Sequence, residues 1–251
     1  FGDESYRDGY DLTSLQFFDK LRNSDVMPTT SQVTPAAFEE VFKREIQDHD
    51  SIICITLSSK ASGTYQSAVL AKNSVEHAHI EVIDSMSLSL GCGMVVIEAA
   101  KMAQEGKPKE EIVQHITDLL DRIEIYFIVD TLEYLKKGGR INLATAVIGN
   151  ILNIKPVLGV REGLVVPIDK IRGSKKVIPK MIELMKMKGV HLSDEIVGLA
   201  HGAIPDKILE IKEAIETEFH PKGFIITEVG SVIGAHAGPG ILGIFFIRSK
   251  S

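Results

Sequence analysis

The apolar run Ser51–Leu57 (SIICITL) and the polar loop Ser58–Gly63 (SSKASG) that follows it decide the fold class. The run is short and rich in β-branched residues, as in a strand buried on both faces. A helix is predicted over 64–75, and a second strand follows at 80–84. Because strand and helix continue to alternate through a third strand at 123–129, we expect a parallel sheet covered by helices.

The pattern changes after residue 130. The strands 155–160 and 164–166 are separated by a turn that contains Gly163, which predicts an antiparallel hairpin. A further helix is predicted at 144–152. We therefore predict an α/β protein of two domains, an N-terminal parallel-sheet α/β/α domain at 1–130 and a C-terminal α+β domain at 131–251 with a mixed or antiparallel sheet.

Composition excludes several classes of protein. The chain has 251 residues, 44% of them hydrophobic, with 28 Lys+Arg against 34 Asp+Glu and a net charge of −6. These values are typical of a globular protein, and the acidic balance argues against a dedicated nucleic-acid binder. Two cysteines cannot form a disulfide framework, and His77 and His79 lack a third metal ligand. With no long apolar segment and no signal-peptide pattern, we expect a cytoplasmic protein without a bound metal.

Two hydroxyl-rich loops follow the first two predicted strands. Ser58, Ser62 and Thr64 come after the first strand, and Ser85 begins a loop after the second. Ligands of open α/β sheets bind outside the carboxyl ends of the strands, where helix N-termini offer free N–H groups. We expect these loops to bind a carboxylate or a phosphate, although Ser and Thr are also common helix caps.

Three further features carry polar side chains. Arg140 follows Gly138-Gly139 at the end of a short predicted helix, and Arg172 precedes Lys175-Lys176. His236 stands alone among small residues in the glycine-rich segment 230–240. The glycines indicate close backbone approach, and His236 is a candidate hydrogen-bond donor to a bound anion. Each feature has a structural alternative, namely a solvated basic turn or a packed histidine.

Taken together, these segments resemble the DegV family of bacterial fatty-acid-binding proteins, which includes the FakB subunits of fatty acid kinase. The resemblance covers essentially the whole chain in the same order. It rests on Thr30-Ser31-Gln32, 58–65, 84–91, 132–140, Lys155-Pro156-Val157-Leu158, Arg172 with Lys175-Lys176, and 234–240.

The resemblance implies a long-chain fatty acid, such as palmitate, in a tunnel between the two domains. Thr30 and Ser62 match the family residues that bind the carboxylate, and His236 matches the histidine of the glycine-rich motif. Arg140 and Arg172 match arginines that lie near the carboxylate or face the kinase. Ser58, Thr64 and Ser85 remain secondary candidates.

The same resemblance implies a carrier subunit rather than an enzyme. It would present the fatty acid to the catalytic subunit of a fatty acid kinase for acyl-phosphate formation in phospholipid metabolism, without a cofactor. We expect a monomer that contacts membranes at most transiently.

Two positions depart from the family pattern. Val33 stands where the family usually has Pro after Thr-Ser-Gln. The family also begins with a strand about 30 residues upstream of Phe1, so we expect that the numbering omits a first strand and its ligand contacts.

Two alternatives stay open on the sequence. A hydrolase could use Ser62 as nucleophile and His236 as base, but it would need a group to orient His236 and an oxyanion hole. A regulatory module that binds a sugar or phosphate would use the same hydroxyl loops.

Overall fold

The computed structural model describes residues 1–76, 79–141, 154–188 and 190–249. The helix predicted at 144–152 lies outside the described residues, as does His77. The helices run Ser14–Arg22 (α1), Pro35–Glu45 (α2), Thr64–Ser74 (α3), Leu90–Gln104 (α4), Lys109–Leu120 (α5), Glu133–Lys137 (α6), Val177–Met187 (α7), Pro205–Phe219 (α8) and Ser231–Ala237 (α9). The strands are Ile52–Thr56 (β1), Ile80–Asp84 (β2), Ile123–Ile128 (β3), Ile154–Arg161 (β4), Leu164–Arg172 (β5), Ile196–His201 (β6), Gly223–Glu228 (β7) and Leu242–Ile247 (β8).

The described strands form one small parallel sheet and one larger mixed sheet. β1 pairs with β2 in parallel. The larger sheet has the order β5-β4-β3-β8-β6-β7, in which β6 and β7 are parallel while β3 and β8 run antiparallel to their neighbours. This confirms the predicted fold class, with its small parallel sheet and its second, mixed sheet.

The sheet assignment of β3 was wrong, and the division of the chain differs accordingly. β3 pairs with β4 and β8, with Tyr126 opposite Gly159 and Ile244. A strand buried on both faces has the same apolar pattern in either sheet, so the sequence could not show its partners. The chain separates into a smaller unit of 31–121 with 162–164, and a larger unit of 1–30, 122–161 and 165–251. The predicted domains were 1–130 and 131–251.

The smaller unit is organised by α2 and α3, which pack near β2. Thr34 caps α2 by accepting a hydrogen bond from Ala37 N at 3.3 Å, and Pro35 occupies the first helical position. Ala68 and Ala71 on α3 are buried together with Phe42. Small side chains on α3 let its backbone approach its neighbours closely, which explains why its buried face lacks large apolar residues.

The larger unit buries its sheet against α7 and α8. Side chains less than 2% exposed come from both the sheet and the two helices, namely Tyr126, Leu199, Phe246, Met181, Met185, Ile211 and Ile215. Each such burial contributes about 1.5–3 kcal/mol to folding, so this core is the main stabilising element of the unit.

The predicted hairpin between β4 and β5 is confirmed. Glu162 and Gly163 both have positive φ, 50° and 77°, as the two central residues of a type I′ turn require. β5 is longer than predicted and continues to Arg172.

A buried carboxylate in β3 neutralises charge within the larger unit. The Glu124 side chain is 5% exposed and forms ion pairs with Arg161, with Lys188 at 3.0 Å and with Arg248 at 3.0 Å. These cations come from β4 and from the ends of α7 and β8. Glu124 therefore ties three segments of the chain together.

We expect Glu124→Gln to lower the free energy of unfolding by about 1–2 kcal/mol, because it removes three ion pairs at a buried carboxylate while the cations, each a third or more exposed, regain water. Urea denaturation measures this change. Glu4→Gln is the control, since Glu4 pairs with Lys20 at an exposed site and its loss should leave the midpoint unchanged. Equal midpoints for wild type and Glu124→Gln would contradict the assignment.

Candidate functional site

The first hydroxyl loop, residues 58–64, follows β1 and leads into α3. Ser58 is fully buried; its Oγ donates to Gly163 O at 2.9 Å and accepts from Lys60 N at 3.1 Å. Ser62 Oγ is half-buried, accepts from Thr64 N at 3.2 Å and lies 2.9 Å from Thr64 Oγ1. The Ser58 hydroxyl therefore holds the loop, whereas the Ser62 and Thr64 hydroxyls share one hydrogen bond and retain capacity for a ligand.

The second hydroxyl loop, residues 85–89, lies directly beside the first. Ser58 N donates to Ser87 O at 2.8 Å, and Ser85 N donates to Thr56 O at 3.1 Å. Ser85 is 2% exposed, and its Oγ accepts from Ser87 N at 3.2 Å. The two loops meet at the carboxyl ends of adjacent parallel strands, as predicted, while Ser85 is occupied by its own loop.

Asp84 joins the two loops, a role that the sequence prediction missed. Its carboxylate accepts from Ser59 N at 3.1 Å in the first loop and from Met86 N at 2.9 Å in the second. Met86 and Ser89 have positive φ, 46° and 52°, which is unfavourable for residues with a side chain. The signal in the sequence was an acid at the last position of a strand, immediately before a serine-rich loop.

Gln32 packs on the loop that carries Ser62. Its amide donates from Nε2 to Ser67 Oγ at 2.9 Å. A Cβ on Gly63 would come within 2.0 Å of Gln32 Oε1, so glycine is the residue that this contact allows. Gln32 therefore packs against the glycine that follows Ser62.

His236 and Thr30 form the clearest polar pair of the larger unit. Thr30 Oγ1 lies 2.9 Å from His236 Nε2, although the two residues are 206 positions apart. Both side chains are half-buried. The sequence placed these two residues in one site only through the family resemblance, and the structure brings them into hydrogen-bond contact.

The segment around His236 is a helix rather than an open glycine-rich loop. α9 spans Ser231–Ala237, and the glycines let neighbouring side chains approach its backbone. A Cβ on Gly234 would lie 2.5 Å from Phe17, and one on Gly238 would lie 2.3 Å from Tyr134. The high glycine content concealed the helix because glycine is a poor helix former.

The environment of His236 keeps its imidazole neutral. Burial lowers the pKa of His236, and the positive charge of Arg140 lowers it further. Nδ1 is buried without a hydrogen-bond partner among the described residues, and it lies so near Gly138 that a Cβ there would come within 2.1 Å of it. A proton on Nδ1 would thus be unpaired, which favours the tautomer with the proton on Nε2. Nε2 then donates to Thr30, whose own hydroxyl hydrogen is left to donate elsewhere.

The two predicted arginines differ in their surroundings. Arg140 is half-buried and donates from Nη1 to Gly138 O at 2.8 Å, and its charge acts on His236. Arg172 is exposed at the end of β5, and the exposed residues Lys175 and Lys176 follow it. The structure thus brings Arg140 to His236 and leaves Arg172 at the surface.

The two cysteines and the potential metal ligands are a further set of candidate functional groups. Burial raises the pKa of Cys54 to about 11 and also raises the pKa of Cys92, so both thiols stay protonated. Within the described ranges, no cluster of His, Cys, Asp and Glu is suited to hold a metal ion.

None of the helices that the structure describes has the length and apolar character needed to cross a bilayer.

Comparison with known proteins identifies the family. A family model described as "Uncharacterised protein, DegV family" matches residues 1–249. The chain belongs to the DegV family. A DegV domain-containing protein of Caldanaerobacter subterraneus subsp. tengcongensis is 44% identical over 243 residues, which cover 97% of this chain and 86% of the relative.

Solved DegV structures share the fold. A DegV-family protein of Thermus thermophilus, described by its fatty acid binding, has a TM-score of 0.91 and 31% identity, covering 97% of this chain and 87% of that chain. A DegV-family protein of Ruminococcus gnavus, described with vaccenic acid, has a TM-score of 0.87 and 26% identity, covering 97% of this chain and 87% of that one. These DegV relatives bind fatty acids.

The hydrolase alternative is not supported. A serine nucleophile needs its base within hydrogen-bond reach. In this DegV chain Ser62 Oγ is bonded to Thr64, and His236 Nε2 is bonded to Thr30. Each of the two proposed catalytic groups is thus engaged by a threonine hydroxyl.

We expect the folded protein to lose stability as the pH falls from about 7.5 to about 5.5, because unfolded histidine takes up a proton near pH 6.5 while buried His236 and His201 resist it. Protons therefore favour the unfolded state in this range. Urea denaturation at both pH values measures the loss.

His236→Gln should reduce this pH dependence, since it removes one of the two histidines whose pKa is lowered on folding. The control is His49→Gln, because the His49 side chain is 62% exposed. A pH dependence in His236→Gln equal to that of wild type would contradict the buried, neutral state of His236.

Proposed function

We propose that this protein binds one long-chain fatty acid and holds its carboxylate with Thr30, Ser62 and His236. The observation that carries the proposal is the Thr30–His236 hydrogen bond. With the proton of the neutral imidazole on Nε2, Thr30 accepts from His236 and keeps its own hydrogen for a carboxylate oxygen. The fatty acids bound by DegV relatives support a ligand of this class.

Burial of the tail would supply the free energy of binding, and contacts with the head group would set the orientation of the bound fatty acid. Removal of a methylene from water contributes about 0.8 kcal/mol, so a palmitate tail supplies roughly 10 kcal/mol before the cost of ordering it. Hydroxyl donors at Thr30 and Ser62 add orientation without adding charge. Arg140 supplies the positive charge that attracts an anionic head group to the vicinity of His236.

We propose further that the protein is a carrier and not itself a kinase. Hydroxyl groups leave a carboxylate accessible, so a catalytic partner could phosphorylate it to an acyl phosphate, the first step toward phospholipid synthesis in the cytoplasm. Arg172, Lys175 and Lys176 form an exposed basic group suited to an acidic surface of such a kinase or to its nucleotide phosphates.

We expect Thr30→Val and Ser62→Ala each to weaken stearate binding about tenfold, because each removes one hydrogen bond to a charged group. Native mass spectrometry of the delipidated protein, titrated with stearate, measures the affinity. Wild type purified without delipidation should carry a fatty acid.

Thr117→Val and Ser74→Ala are the matched controls, since their exposed hydroxyls bond to carbonyls of their own helices. Both controls should bind stearate like wild type. A wild-type protein that is purified empty and takes up no stearate would overturn the proposal of fatty acid binding.

For the partner, we expect Arg172→Ala to abolish acyl-phosphate formation by a fatty acid kinase while stearate affinity stays within about twofold of wild type. Lys170→Ala is the control, because Lys170 is an exposed cation on the same strand. Arg140→Ala should lower both the rate of acyl-phosphate formation and the affinity for stearate. Undiminished acyl-phosphate formation by both arginine variants would sink the partner role.

A further inference from the structure

Asp8 caps the helix that carries His236. Its carboxylate accepts from Ser231 N at 2.7 Å and from Val232 N at 3.4 Å, the first two N–H groups of α9. The residue before the helix is Gly230, which has no side chain with which to cap it. An acid 223 residues away in sequence thus takes the place of a local cap.

The position of α9 depends on contacts from outside the helix. A helix of seven residues is too short to be stable alone. Gly230, Gly234 and Gly238 recur every four residues, so they lie near one face of the segment. A Cβ at any of the three would clash with Asp8, Phe17 or Tyr134 respectively, at 2.8, 2.5 and 2.3 Å.

The loop that carries Asp8 is itself held in place. Arg7 forms an ion pair with Asp11 at 2.8 Å, and Tyr10 N donates to Arg7 O at 3.1 Å. A bridge between Asp8 and Leu12 closes the loop. Asp8 is therefore presented to α9 from a closed turn.

We propose that Asp8 is a positioning residue for the fatty-acid site. By fixing the first turn of α9, Asp8 keeps His236 Nε2 at 2.9 Å from Thr30 Oγ1, a separation that a shift of the helix by about 1 Å would break. The inference rests on the proposed function for its link to fatty acid. The hold of Asp8 on His236 is independent of any ligand.

The test compares Asp8→Ala, which removes the acceptor, with Asp8→Asn, which keeps one amide oxygen for Ser231 N. Nitrogen-15 NMR of the imidazole in the ligand-free protein reports the tautomer and pKa of His236, assigned with His236→Gln. In Asp8→Ala we expect the pKa to rise toward the usual histidine value and the Nε2–H preference to fall. Asp8→Asn should restore most of the wild-type spectrum.

Stearate affinity gives the second measurement. Asp8→Ala should bind about tenfold more weakly, and Asp8→Asn within about threefold of wild type. Thr34→Ala is the matched control, because it removes the cap of α2 and should reduce stability without changing His236 or stearate binding. If Asp8→Ala does not fold, Gly230→Ala displaces the same carboxylate, since its Cβ would lie 2.8 Å from Asp8 Oδ2.

A wild-type His236 spectrum in folded Asp8→Ala or Gly230→Ala would overturn the inference. A changed His236 spectrum with unchanged stearate affinity would support the positioning of His236 by Asp8. The same result would contradict the placement of His236 in the fatty-acid site.

Discussion

A neutral imidazole held 2.9 Å from a threonine hydroxyl is the interaction on which the candidate site depends. The local structure around each of these two residues is not enough to fix the position of its side chain. Thr30 follows the irregular stretch after α1, and His236 lies near the end of a seven-residue helix that needs outside support. Phe17 and Tyr134 press against the glycines of that helix, and Asp8 caps it. Contacts from outside α9 thus hold the helix on which His236 lies.

In the smaller unit, a single carboxylate, that of Asp84, holds the two hydroxyl loops in place. Asp84 accepts from the backbone of both hydroxyl loops, so neither loop can shift without breaking a hydrogen bond. The hydrogen bond from Met86 N to Asp84 also helps to hold Met86 at its positive φ, which an unrestrained loop would relax. The hydroxyls of Ser58 and Ser85 hold the loops, whereas those of Ser62 and Thr64 bond to each other.

The local sequence pattern predicted the helices and strands well, but it predicted poorly which strands pair with each other. The strand at 52–56, the turn at Gly163 and the helix at 64–74 each follow from short-range signals that the structure bears out. β3 was assigned to the wrong sheet because hydrogen-bond partners are chosen by the whole chain. α9 was missed because its glycines serve contact with Phe17 and Tyr134 at the expense of helix propensity. Asp8 accepts from backbone N–H groups of a helix 223 residues away, a contact that no local motif reveals.

Within the proposed function, the charges around His236 bear on how the carboxylate is held. A base poised for catalysis has a pKa near the working pH and faces its nucleophile. In this chain, burial and the charge of Arg140 lower the pKa of His236, and its Nε2 is bonded to Thr30 Oγ1. A neutral donor next to a fixed cation suits an anion that must be oriented and then released, because hydroxyl and imidazole groups fix direction while adding little charge. Within the proposed function, burial of the tail therefore supplies most of the affinity, and the polar groups decide which way the carboxylate faces.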